Sequence, residues 1–130
     1  MNASSEADIH AAFRTVARLT AAALLVGADP FFNGRREQLA TLAAHYNLPT
    51  MYELREYAVA GGLLSYGTNL ADAYRQVGNY AARVLKGDKP ADLPVVQSSK
   101  FELVVNLKAA KALHLTIPAG VLAIADEVIE

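Results

Sequence analysis

The 130-residue chain has no cysteine and no tryptophan, and aromatic residues of all kinds make up 8% of it. Without cysteine there is no disulfide, no thiolate metal site and no cysteine nucleophile, although the absence does not identify a compartment. An excess of one charge is missing too: 12 Lys and Arg stand against 13 Asp and Glu, a formal net charge of −1. Such a surface gives no field for holding a phosphate backbone, and Arg35-Arg36 is too small to act as a basic patch, so nucleic acid is not an expected partner. Long hydrophobic runs are also lacking. The longest, Ala21 to Ala28, falls far short of the roughly 18 residues that a membrane-crossing helix needs. The opening Met-Asn-Ala-Ser-Ser-Glu-Ala-Asp has no basic stretch followed by an apolar core and does not read as a secretory signal.

What is present is 53% hydrophobic residues, enough for one domain over residues 1–130 with its own core. From Asp8, read as an N-cap, Ile9, Ala12, Phe13, Val16 and Ala17 recur at helical spacing up to about Thr20. Ala23 to Ala28 is continuously apolar, as a parallel strand covered on both faces should be. Asn33 is expected to cap a helix carrying Leu39, Leu42, Ala43 and Tyr46, which Asn47, Leu48 and Pro49 then close. A strand at Thr50-Met51-Tyr52, a helix from Leu54 to Ala60 and a strand from Leu63 to Tyr66 follow, the last after the break at Gly61-Gly62. Asn69 and Asp72 form a capping pair for a helix whose stripe runs through Leu70, Ala73, Tyr74, Val77, Tyr80, Ala81, Val84 and Leu85, with Gly87 as its exit. Pro90 to Pro94 reads as extended, Phe101 to Val105 as a strand and Leu107 to Leu113 as a helix capped by Asn106. Pro118 opens a last helix carrying Val121, Leu122, Ala125, Val128 and Ile129. Alternating strands and helices at this spacing predict a three-layer αβα architecture around a mainly parallel sheet.

Motifs for chemistry are few. Ser65 lies between Gly62 and Gly67, but a nucleophile elbow needs glycines two residues to either side, so a strand serine is expected. His10, His45 and His114 fall in separate regions without metal-ligand spacing, and no metal is expected. Neither G-x-G-x-x-G nor a Walker-type loop occurs, no cofactor is implied, and Glu53, Glu56 and Asp72 show no pairing that would make an acid-base enzyme.

Position carries more than motif. In open parallel sheets ligands sit beyond the carboxyl ends of the strands. Asp29-Pro30-Phe31-Phe32, Glu53 to Glu56 and Tyr66-Gly67-Thr68-Asn69 follow three such ends. Asp29, held extended by Pro30, suits an ammonium group or else caps a turn. Phe31 and Tyr66 offer apolar walls or else pack internally, and Glu56 and Thr68 complete the candidate ligand-binding set.

Ala-Asp-Pro-Phe-Phe at 28–32, Leu-Pro-Thr at 48–50, Ala-Gly-Gly-Leu-Leu-Ser-Tyr-Gly at 60–67 and Leu-Lys-Gly-Asp-Lys-Pro-Ala-Asp-Leu-Pro at 85–94 resemble the C-terminal portion of the substrate-binding proteins of ABC importers, of the type I periplasmic-binding class. The resemblance implies an incomplete fold: the C-terminal lobe of a two-lobe solute receptor, without the first lobe and the opening strand of the second. It implies a non-catalytic role: binding a small solute such as an amino acid, with an ABC permease as partner and a periplasmic location for full-length relatives. Some relatives take aromatic amino acids. Where the family places a glycine after the Lys-Ala-Ala-Lys-Ala-Leu helix, His114 stands here. The type I arrangement further implies that the helix from Leu70 to Leu85 belongs with the absent lobe. Its stripe is then expected either to fold back onto the sheet or to be exchanged with a second chain, giving a homodimer. A non-catalytic homodimeric scaffold domain is the alternative reading.

Overall fold

The computed structural model describes residues 2–19, 21–97 and 100–130. Helix α1 (Glu6–Arg18) starts at Ser5, whose hydroxyl accepts the Asp8 N–H while the Asp8 carboxylate accepts the Ser5 N–H. Asp8 is thus the partner of the cap three residues on, and not the cap, and its carboxyl is held below its ordinary range, first by the Ser5 hydroxyl and then by Ser4. Strand β1 is short (Leu24–Leu25), and helix α2 (Pro30–Asn33) follows with Asp29 as its cap. Asn33 ends α2 instead of capping α3 (Arg36–His45), which begins after Arg35 without a side-chain cap. Asn47 closes α3 at φ 50, as its sequence position predicts, and the Leu48 N–H reaches back to the Ala43 carbonyl at 2.9 Å.

Strands β2 (Thr50–Tyr52) and β3 (Leu64–Thr68) flank helix α4 (Arg55–Val59), and α5 (Leu70–Leu85) is capped by Asn69, which accepts the Asp72 N–H at 2.8 Å. A 3-10 turn at Pro90–Asp92 interrupts the expected extended segment. Strand β4 (Phe101–Asn106), helices α6 (Leu107–Ala112) and α7 (Ala119–Ile124) and strand β5 (Glu127–Ile129) complete the chain. The expected last helix therefore stops four residues before Val128, because Val128 and Ile129 pair with Val105 and Asn106. His114 takes φ 55 even though it is not glycine.

The sheet order is β1-β2-β3-β4-β5, with β1, β2 and β3 parallel, β4 antiparallel to β3, and β5 parallel to β4. Opposed residues share a face, so Thr50, Tyr52, Ser65 and Val104 line one side and Leu25, Met51, Leu64, Tyr66 and Val105 the other. The first face is sealed: Ile9, Phe13 and Val16 of α1, Leu39, Leu42 and Ala43 of α3, and Tyr57 of α4 pack with Val26 and Tyr52 into one core. The second is covered at Val105 but open at Leu25 (71% exposed) and Tyr66 (53% exposed), which leaves the third layer incomplete.

The fold-back expectation for the long helix fails. Only Asp72 of α5 is buried, while Tyr74, Val77 and Leu85 are exposed. Among the described residues the helix is tied to the sheet at its base: the Asn69 N–H donates to the Lys100 carbonyl at 3.0 Å, Asn69 Nδ2 to Glu102 at 2.8 Å, and Lys100 Nζ lies 3.2 Å from Asp72. The chain thus leaves from the carboxyl end of β3 at Asn69 and is back beside it at Phe101, which pairs with Thr68.

Candidate functional site

Because β1, β2 and β3 run parallel, the segments after them share one rim of the sheet. At the first, Asp29 is extended (φ −156, ψ 131) and its Oδ1 accepts the Phe31 N–H at 2.7 Å. One carboxylate oxygen is therefore spent on capping α2. The capping role is real, and the second oxygen has no such bond among the described residues. Phe31 is half-buried; the Arg35 guanidinium covers its ring at 4.0 Å from the centroid, and Phe32 meets it edge-on at 5.6 Å.

Tyr57 lies beside this segment and stacks on Tyr52 at 4.6 Å with the rings 12° apart. Its hydroxyl donates to Asn33 Oδ1 at 2.8 Å. Burial pushes that hydroxyl up to about 12, with the Glu53 charge adding to the rise, Arg36 opposing it and Asp29 adding a little more. These charges all face one buried phenol. Tyr52 is pushed higher still by burial. Both phenols stay protonated at neutral pH and do not serve as bases. Glu53 follows β2, and partial burial raises its carboxyl above the ordinary range. Its main chain crowds Gly67 of β3: a Cβ there would lie 2.0 Å from the Glu53 carbonyl oxygen. Only glycine allows β2 and β3 to close up at the rim.

Tyr66 stacks on Phe101 at 6.0 Å and 24°, both about half exposed, and Thr68 ends β3 on the same face. Asp29, Phe31, Tyr66 and Thr68 thus stand along one rim. Glu56 is set apart: it belongs to α4 and lines a cavity of about 280 Å³ with Arg36, Glu37 and Arg55, on the side of the sheet away from Tyr66. Its Oε2 is buried without a hydrogen-bond partner among the described residues.

Sequence reasoning missed Asn33 and Tyr57 as rim residues, since their contact spans 24 positions and neither residue type signals it. It also missed Arg55, whose guanidinium holds Glu127 of β5 through two hydrogen bonds of 2.5 and 2.7 Å and so clamps α4 across the sheet. Ser65 is 1% exposed inside the sheet. The described residues include no cluster of His, Asp and Glu able to hold a metal ion, and no helix long and apolar enough to cross a membrane.

A family model described as ABC transporter substrate binding protein matches residues 1–129. Among solved structures, a conserved domain protein from Vibrio cholerae superposes with a TM-score of 0.88 at 26% identity, over 98% of this chain and 43% of that one. An ABC domain from Streptococcus pneumoniae, in complex with L-Trp, gives 0.80 at 29% identity over 93% of this chain and 42% of its own. CD0873 of Clostridium difficile, a substrate-binding protein with adhesive properties in its ligand-free, open form, gives 0.68 at 19% identity over 99% of this chain, a likeness of fold. The chain spans less than half the length of each of these proteins. No curated protein matches the sequence.

Proposed function

The chain belongs to the ABC transporter substrate-binding protein family, and we propose that it supplies one wall of a solute cleft, taking a small zwitterion of the amino-acid class at the rim of β1, β2 and β3. The observation that supports this reading is that Asp29 and Phe31 follow β1 while Tyr66 and Thr68 close β3, at the same carboxyl side of the parallel strands. Asp29 offers its second oxygen to an ammonium group, and the exposed Tyr66–Phe101 stack offers an aromatic platform. A Trp-bound structural relative supports the amino-acid class. Glu56, across the sheet, holds a supporting place near Arg36 and is the weakest member of the set.

In this reading the solute passes to an ABC permease outside the cytoplasm, with the opposing wall supplied by the part of the relatives' length that this chain does not span. One wall keeps the full association cost with about half the contacts, so binding to the chain alone is expected near the millimolar range. The test is titration calorimetry with a panel of amino acids on the wild type and on Asp29→Asn, which keeps the capping oxygen while removing the charge. Binding of one amino-acid class, weakened about tenfold or more in the variant, is the expected result. Equal binding by both proteins would leave Asp29 a turn cap only; no binding of any amino acid would favour the scaffold alternative.

A further inference from the structure

Two carboxylates follow β2, and they differ in what holds them. Glu56, on α4, shares its cavity with Arg36 and Arg55, and its Oε2 is sealed from solvent. Glu53 is half-buried directly after the strand and, unlike Glu56, has no oxygen sealed from solvent. Burial raises its carboxyl, with no hydrogen bond and no neighbouring cation to lower it, and no ion pair among the described residues includes it.

The strand register fixes its neighbours. Met51 lies opposite Leu25 on one side and Leu64 on the other, and Tyr52 lies opposite Ser65. Glu53 therefore comes level with Gly27 and Tyr66, between the segment that carries Asp29 and the Tyr66–Phe101 stack. Neighbouring strands are about 4.8 Å apart, so the row from β1 to β3 spans roughly 10 Å, which an amino acid with a long side chain covers when extended. The other charges at this rim have partners. Arg35 lies over the Phe31 ring and 3.6 Å from Glu6, Arg36 donates to the Asn33 carbonyl at 3.1 Å, Glu102 accepts from Asn69, and Lys100 reaches Asp72. Phe31 is thus already covered by a cation, while Tyr66 and Phe101 stay about half exposed.

A half-buried carboxylate without a counter-charge discriminates between solutes. An apolar or amide side chain laid over it strips away water and returns no pairing, whereas an ammonium or guanidinium supplies the missing charge and lies well against aromatic faces. We propose that Glu53 is the specificity-determining residue of the rim: it selects an amino acid whose side chain ends in an ammonium or guanidinium group, held between the Glu53 carboxylate and the Tyr66–Phe101 stack while Asp29 takes the α-ammonium group. This inference rests on the solute reading above and narrows it from amino acids at large to basic ones. It sets the chain apart from the structural relative in complex with L-Trp, a solute with a neutral side chain.

The test is an NMR titration, suited to weak binding, with two matched pairs: L-arginine against its neutral isostere L-citrulline, and L-lysine against L-norleucine. On the wild type the cationic member of each pair is expected to bind about tenfold more tightly or better and to shift the ring signals of Tyr66 and Phe101. Glu53→Gln, which keeps the shape and removes the charge, should bring the members of each pair within about twofold, with a urea midpoint no lower than that of the wild type. Glu53→Asp should keep part of the preference. Equal binding of arginine and citrulline by the wild type overturns the charge selection and leaves the solute reading standing. A preference that survives Glu53→Gln overturns the role of Glu53, and binding of no amino acid overturns both readings.

Discussion

At the scale of single residues, two backbone positions carry the clearest consequences. His114 sits at φ 55 while the Leu115 N–H closes α6 onto the Ala110 carbonyl at 2.9 Å. A side chain with a Cβ pays roughly 1 kcal/mol for that conformation, and glycine does not. His114→Gly should therefore stabilise the fold by about 0.5–1 kcal/mol, read as a higher urea midpoint at unchanged slope; a lower midpoint would mean that the imidazole contributes more than its strain costs. Gly67 is the opposite case. Adding a Cβ 2.0 Å from the Glu53 carbonyl forces β2 and β3 apart, so Gly67→Ala should destabilise by about 2–4 kcal/mol, measured by chemical denaturation, and should disturb the rim where Tyr66 and Thr68 stand.

At the scale of elements, the Arg55–Glu127 pair joins α4 to the last strand. Both side chains are around 40% exposed, so solvent screening limits even this two-bonded pair to about 0.5–1 kcal/mol. Hydrogen bonding from Arg55 sets the Glu127 carboxyl below its ordinary 4.5. A carboxyl depressed in the folded state contributes fully above that ordinary value and loses its contribution as pH falls through the lower, folded one. Glu127→Gln should thus lower stability at pH 7 and have almost no effect near pH 2, as read from urea midpoints at both pH values; an equal loss at both would show that the ion pair is not the cause.

Elements closed by local chemistry were legible in the sequence, and those decided by distant partners were not. Asn47-Leu48-Pro49 ended α3 as read, and Asn69 capped α5, because each signal lies within a few residues of its effect. Asp8 reads as the cap of α1, but Ser5 caps it and Asp8 answers from three residues on. Val128 and Ile129 kept helical spacing with Val121 and Leu122 but became a strand, since β4 offered them an open ladder more than twenty residues away. The candidate site divides in the same way. Asp29, Tyr66 and Thr68 could be assigned to strand ends from sequence alone, whereas Tyr57 and Asn33 meet only once α2 and α4 are packed.

At the scale of the whole molecule, stability is distributed unevenly. The core cluster joins α1, α3, α4 and the first strands, while α5 is held chiefly at its first turn by Asn69, Asp72 and Lys100. Hydrogen exchange should show amides of β2 and β4 exchanging only through global opening and those from about Val77 to Leu85 exchanging orders of magnitude faster. Uniform protection along both would mean that α5 is covered within a single chain.

The direct pairing of Thr68 with Phe101 makes the whole arm between them dispensable to the strands it interrupts. An antiparallel pair can be joined by a two-residue Asn-Gly link whose twist matches its own, so a shortened gene encoding that hairpin in place of residues 69–100 should yield a miniature protein with the same five-stranded platform. Natural variation in the length of this arm would then be free to change what the molecule touches without redesigning what holds it together.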